Sequence, residues 1–87
     1  MNEIEKLKRK IIYRAKSIGY KELNLIFEKF IKQNIEQLNH DDLTLLLEIV
    51  NMDDQEIINY ILYDKKIDLN NKILKDFIIY SKNYISY

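Results

Sequence analysis

Few residues in this chain could do chemistry on their own. His40 stands beside Asp41 and Asp42, a grouping that could begin a metal site or an acid–base pair. A bound metal needs three or four converging ligands. These three are consecutive at what looks like a helix start, where carboxylates are favoured by the helix dipole and need no metal to explain them. A Ser-His-Asp set would have to draw on Ser17, Ser81 or Ser86, two of them in the terminal segment, and no spacing supports it. Phosphate-cradling loops need several glycines, and Gly19 is the only one here. What remains is a dense stretch, Lys10 to Leu23, that places Lys10, Tyr13, Arg14, Lys16, Ile18, Tyr20, Lys21 and Glu22 around that glycine. Those residue types suit recognition of another surface, because tyrosine and arginine carry much of the energy at interfaces.

The elements that must position this stretch follow from spacing. Ile4, Leu7, Ile11, Ala15 and Ile18 recur at intervals of three and four, the stripe of an amphipathic helix over about 3–17. Gly19 falls where the stripe stops, which predicts a helix C-cap with positive φ. Leu23, Ile26, Phe27, Phe30, Ile31 and Ile35 predict a second helix over about 21–36. Asn39, with Asp42 three residues on, predicts a capped third helix over about 40–50 with Leu43, Leu46, Leu47 and Val50 inward. Asp53 with Glu56 approximates a capping box ahead of Ile57, Ile58, Ile61 and Leu62, a fourth helix over about 54–63. After a polar break at Asp64 to Asp68, Asn70 can cap a fifth over about 71–82, with Ile73, Leu74, Phe77 and Ile78 inward. Residues 83–87 are expected to fray. The reading is all-α: one domain over 1–87, a bundle of five short helices, with the helix 1/helix 2 junction at 10–24 carrying the candidate site.

Composition narrows the function. A chain of 87 residues buries only about 60% of its unfolded surface, which leaves no room for the deep cleft of a multi-substrate enzyme. Absence of cysteine excludes disulfide scaffolds and thiolate metal sites and fits a reducing compartment. No apolar run approaches the ~20 residues of a membrane span, so no membrane insertion is expected. The first residues lack the pattern of a signal or transit peptide, which points to a bacterial cytoplasm, or to a mitochondrial matrix only if a transit peptide has been removed.

Charge is unevenly spread. Residues 1–21 carry seven bases against two acids, whereas residues 22–56 carry two bases against nine acids. Lys6, Lys8, Arg9, Lys10, Arg14 and Lys16 raise the possibility of a nucleic-acid surface. Zero formal net charge, two arginines and an acidic middle segment argue against it. A solvated basic face accounts for the charges, and no nucleic acid is expected as a partner.

The stretch around Gly19 resembles the SdhE family of succinate dehydrogenase assembly factors, marked by an Arg-Gly-x-x-Glu motif after a basic helix with a Tyr-Arg pair. Gly19 and Glu22 match the glycine and glutamate at the right spacing, Tyr13-Arg14 matches the pair, and Leu23-Asn24 stands where the family has Leu-Asp. Ile18 occupies the place of the motif arginine. The resemblance covers roughly residues 6–63, including Phe30, Leu38-Asn39, the leucine-rich run Leu43 to Val50, and Asp53-Asp54 leading to Asn59-Tyr60-Ile61.

The resemblance implies a five-helix bundle and a non-enzymatic FAD assembly factor. It would bind the flavoprotein subunit of succinate dehydrogenase, or of the related fumarate reductase, and promote covalent attachment of FAD to a histidine of that subunit. The chain would hold no cofactor of its own, would be a monomer when free, and would act by orientation. Gly19, Glu22, Arg14, Tyr13, Tyr20, Lys10, Lys16 and Ile18 are the expected partner-binding residues. Two other classes stay open at this point: a small helical adaptor of another complex, and a nucleic-acid-binding bundle using the first helix. For Ile18 the helix stripe suggests core and the motif position suggests contact.

Overall fold

The computed structural model describes residues 2–63, 66 and 70–85. Five helices follow in order: α1 (Glu3–Lys16), α2 (Lys21–Asn34), α3 (His40–Val50), α4 (Asp54–Leu62) and α5 (Lys72–Ile85), with a 3₁₀ turn at Ile35–Gln37 between α2 and α3. The expected boundaries hold to within a few residues. The second helix tightens into the 3₁₀ turn where its expected final residues would continue α2. The fifth runs on through Asn83, Tyr84 and Ile85, which the sequence reading left to a frayed end. The polar break at Asp64 to Asp68 falls largely outside the described residues.

Caps fix where the helices start. Asn2 accepts a hydrogen bond from the Glu5 backbone N–H at 2.8 Å, Asn39 from Asp42 at 2.9 Å, and Asp53 from Gln55 at 2.9 Å, each satisfying an otherwise orphan donor. The last helix is capped by Asn71, which accepts from the Leu74 N–H at 2.9 Å. The sequence reading placed that cap one residue earlier, at Asn70. Neighbouring asparagines offer the same chemistry, and only the register of the first turn decides between them.

α1 packs on α3 and α2, while α5 covers α2, α3 and α4. Phe27 of α2 lies nearly parallel to Phe77 of α5, ring centroids 4.2 Å apart. Phe30 meets Phe77 edge-on at 5.3 Å and Tyr80 at 5.4 Å. The predicted inward stripe of α2 is buried in full, as is that of α5. In α1 only Ile11 and Ala15 are buried, with Leu7 and Ile18 packed at the edge of the core and Ile4 exposed in the first turn. In α4 the inward residues are Ile57, Tyr60 and Ile61, and Leu62, expected inside, is exposed. A nine-residue helix turns only a narrow face to the core, here the 57/60/61 stripe, and Leu62 lies off that stripe.

Polar contacts tie the layers. Lys72 of α5 lies 3.0 Å from the largely buried carboxylate of Asp42 on α3, an ion pair without a well-aligned hydrogen bond. Lys8 of α1 donates to Glu36 at 3.1 Å. None of the described helices is long and apolar enough to cross a membrane.

Removing the ring that two others contact leaves a cavity, so Phe77→Ala should cost about 3–5 kcal/mol. A urea melt followed by circular dichroism checks it, with a large drop in midpoint expected.

Candidate partner-binding site

The junction between α1 and α2 spans four residues, Ser17 to Tyr20. α1 ends at Ser17 (φ −91°, ψ 2°), whose hydroxyl donates to the Arg14 carbonyl at 2.8 Å. The last carbonyls of a helix have no intrahelical donors, and here a side chain from the next helix supplies them. The Asn24 amide donates to the carbonyls of Ala15 at 3.0 Å, Lys16 at 3.3 Å and Ile18 at 3.2 Å. Two amide hydrogens are shared among three oxygens, which clasps the end of α1 onto the second turn of α2.

Gly19 is not the left-handed cap that its position in the sequence predicts. Its φ lies outside the left-handed region, and a Cβ built on it would meet nothing within 4 Å. The C-cap is Ser17 instead, and the Asn24 clasp satisfies the carbonyls that a glycine cap would have served. Neither backbone conformation nor crowding inside the chain therefore calls for glycine at 19. What glycine does provide is a bare stretch of backbone facing outward.

The other expected residues sort into two flanks. Arg14, Ile18 and Gly19 line one small polar cleft of about 140 Å³, together with Ser17, Asn51, Met52 and Asp54. The Arg14 Nε donates to the Asn51 side chain at 2.6 Å, tying α1 to the residue that ends α3. That bond holds the guanidinium beside the turn, at the edge of the cleft. Tyr13 and Tyr20 are 74% and 51% exposed, so neither ring belongs to the core. Lys10 is exposed and, one turn before Arg14, shares its side of α1. Glu22 is exposed in the first turn of α2. That helix starts at Tyr20 without a side-chain cap, so the carboxylate adds favourable charge to an open helix end.

Lys16 lies apart from Arg14. It borders a second groove between α1 and α2, about 450 Å³, floored by Ile12, Ala15, Ile31 and Ile35 and rimmed by Glu28, Lys32 and Glu36. Ile18 is half-buried against the core, so the helix stripe rather than the motif position describes its side chain. Its backbone carbonyl belongs to the clasp.

His40 does not join this site. Its ring nitrogens lie 3.7 Å from Glu3 and 3.8 Å from Asp41, contacts that attract only the protonated ring. Among the described residues no group of three or more His, Asp or Glu side chains is placed to hold a metal ion.

Two residues of the site have roles that the sequence reading missed. Asn51 follows the last apolar residue of α3 and looks like any helix-terminal asparagine. Asn24 interrupts an otherwise apolar run, Leu23 to Phe27, and stands at the end of the motif stretch, but neither signal shows that its amide reaches back to the end of α1.

Comparison with known proteins adds one finding. A family model described as "Flavinator of succinate dehydrogenase" matches residues 9–78, a span that contains the whole junction. No curated protein and no solved structure matches the chain.

With open space around it and no positive φ, Gly19→Ala should leave the fold intact and raise stability by about 0.4–1 kcal/mol by restricting the unfolded chain; a denaturant midpoint below the wild-type value would contradict the geometry. Ile18→Arg should cost roughly 1 kcal/mol, since the arginine stem can cover part of the surface that Ile18 buries while its head stays in water. The same melt reads both.

Proposed function

The chain belongs to the flavinator of succinate dehydrogenase family, its match spanning residues 9–78, and from that premise we propose that the α1–α2 junction is the surface through which this FAD assembly factor grips the flavoprotein subunit of the enzyme. The observation that supports it is Gly19, a glycine that the fold itself does not require, set on an open turn between two exposed tyrosines and a fixed arginine.

The physical roles follow. The bare backbone at Gly19 lets a partner backbone approach to a distance that any long side chain would prevent. Tyr13 and Tyr20 offer large, rigid apolar faces with a polar tip, and Arg14, held by Asn51, presents donors already oriented. Glu22 at the open start of α2 can accept from partner donors, and Lys10 extends the positive side of the patch. Ile18 contributes its backbone and its place in the turn. Lys16, on the other flank, belongs to the contact only if the partner reaches around the end of α1.

The attachment chemistry resides in the partner. The flavin is cargo held by the flavoprotein, whose own histidine forms the covalent bond, and this chain acts as a template that keeps histidine and flavin in a reactive arrangement. Effective molarities from good positioning reach about 10⁵ M and above, so a binding surface without catalytic groups is enough. In this reading the chain is not an enzyme, holds no cofactor, works as a cytoplasmic monomer, and serves fumarate reductase as well wherever that flavoprotein presents the same face.

Co-expression with the same organism's succinate dehydrogenase flavoprotein tests this. Covalent flavin, read as fluorescence of the denatured protein band, should rise with the wild-type chain and stay near background with Gly19→Arg, while circular dichroism shows the variant folded. A folded Gly19→Arg chain that still promotes attachment would overturn the placement of the site.

A further inference from the structure

We infer that Asn24 is the positioning residue of the docking surface: its amide, rather than any residue that touches the partner, sets the shape of the Ser17–Tyr20 turn. The inference rests on the preceding reading of that turn as the contact and adds what holds it in shape.

Four residues join two fourteen-residue helices, and glycine among them adds conformational freedom that must be lost on binding. Two weak backbone contacts mark the end of α1, Ser17 N–H to Arg14 at 3.1 Å and Ile18 N–H to Ala15 at 3.3 Å. α2 begins without a side-chain cap. Between these, Asn24 is the side chain that reaches across, holding the carbonyls of Ala15, Lys16 and Ile18 from one partly buried position.

The three carbonyls lie on both sides of the helix end, so one amide fixes the direction in which the chain leaves α1. That direction places Gly19 and Tyr20. It also sets where Arg14 and Gly19 face each other across the cleft they share.

The clasp depends on an amide. A carboxylate at this position has no hydrogen to donate and would turn its charge toward three carbonyl oxygens. The contact therefore belongs to this chain's asparagine and not to the leucine-aspartate pair of the resemblance. A preorganised turn binds more tightly because less is ordered at the moment of contact.

The test compares Asn24→Leu, close in volume but without donors, with Asn34→Leu. Asn34 donates to the Phe30 carbonyl at 2.8 Å at the far end of the same helix, so its replacement removes a similar bond away from the turn. Two readouts are needed: amide hydrogen exchange of the free chain, and affinity of the folded chain for the flavoprotein subunit by calorimetry. Asn24→Leu should speed exchange at residues 17–20 and weaken binding by about tenfold or more. Asn34→Leu should do neither, even where both variants lose similar stability. Wild-type affinity in a folded Asn24→Leu chain, or equal losses in both variants, would overturn the inference and leave the docking site standing. Failure of the wild-type chain to bind the flavoprotein at all would overturn the docking site itself, and the role given to Asn24 with it.

Discussion

The contact on which the bundle depends is the face-to-face packing of Phe27 against Phe77, with Phe30 set edge-on beside them. A chain of this size can build one core only, and α5 is the element that closes it, lying over α2, α3 and α4 at once. Stacked and edge-on rings bury large areas in specific geometries, so the cluster fixes both the separation and the rotation of α2 relative to α5. Once α2 is fixed, so is the clasp it carries. Asn24 lies one turn before Phe27 on the same helix, and the amide can hold the end of α1 only because the phenyl groups behind it hold α2.

α1 buries two side chains, Ile11 and Ala15, and packs most closely on α3. It is held by packing on α3, by the Arg14–Asn51 bond, by the Lys8–Glu36 pair and by Asn24. Most of these attachments lie along the flanks of α1, and two of them converge on its C-terminal end. The outward face of α1, with Tyr13 and Lys10, is left exposed, while the turn after it is held in shape by Asn24 and carries Gly19 and Tyr20 on its open side. A surface of this kind asks nothing of the chain except to be stable and correctly shaped, which suits an assembly factor.

Much of this was legible in the sequence, for identifiable reasons. Helix positions followed from apolar spacing because the core is single and each long helix turns one stripe toward it. Asn39 and Asp53 could be placed as caps because capping is local, decided within three residues. The cap at Asn71, the exposure of Leu62 and the burial of Tyr60 were not legible, since the first depends on the register of one turn and the other two on which face of α4 the tertiary packing turns inward. Gly19 shows the limit most clearly. Its position invited a left-handed cap, and the chain instead satisfied those carbonyls with an asparagine five residues away, across a turn. The Tyr13-Arg14 and Gly19-to-Glu22 spacing pointed to the junction, whereas the bonds that shape it, from Asn24 to the end of α1 and from Arg14 to Asn51, could not be read from any spacing.

The central claim is that the partner is met at the α1–α2 junction, and amide mapping of the isotope-labelled chain tests it most directly. Unlabelled flavoprotein subunit is added, and the signals that shift or broaden are assigned. The account expects the effects to cluster at residues 10–22 and at Asn51 and Asp54 across the cleft, with α5 unaffected along its exposed side. Effects centred on α4 and α5, with the Gly19 turn unchanged, would contradict it.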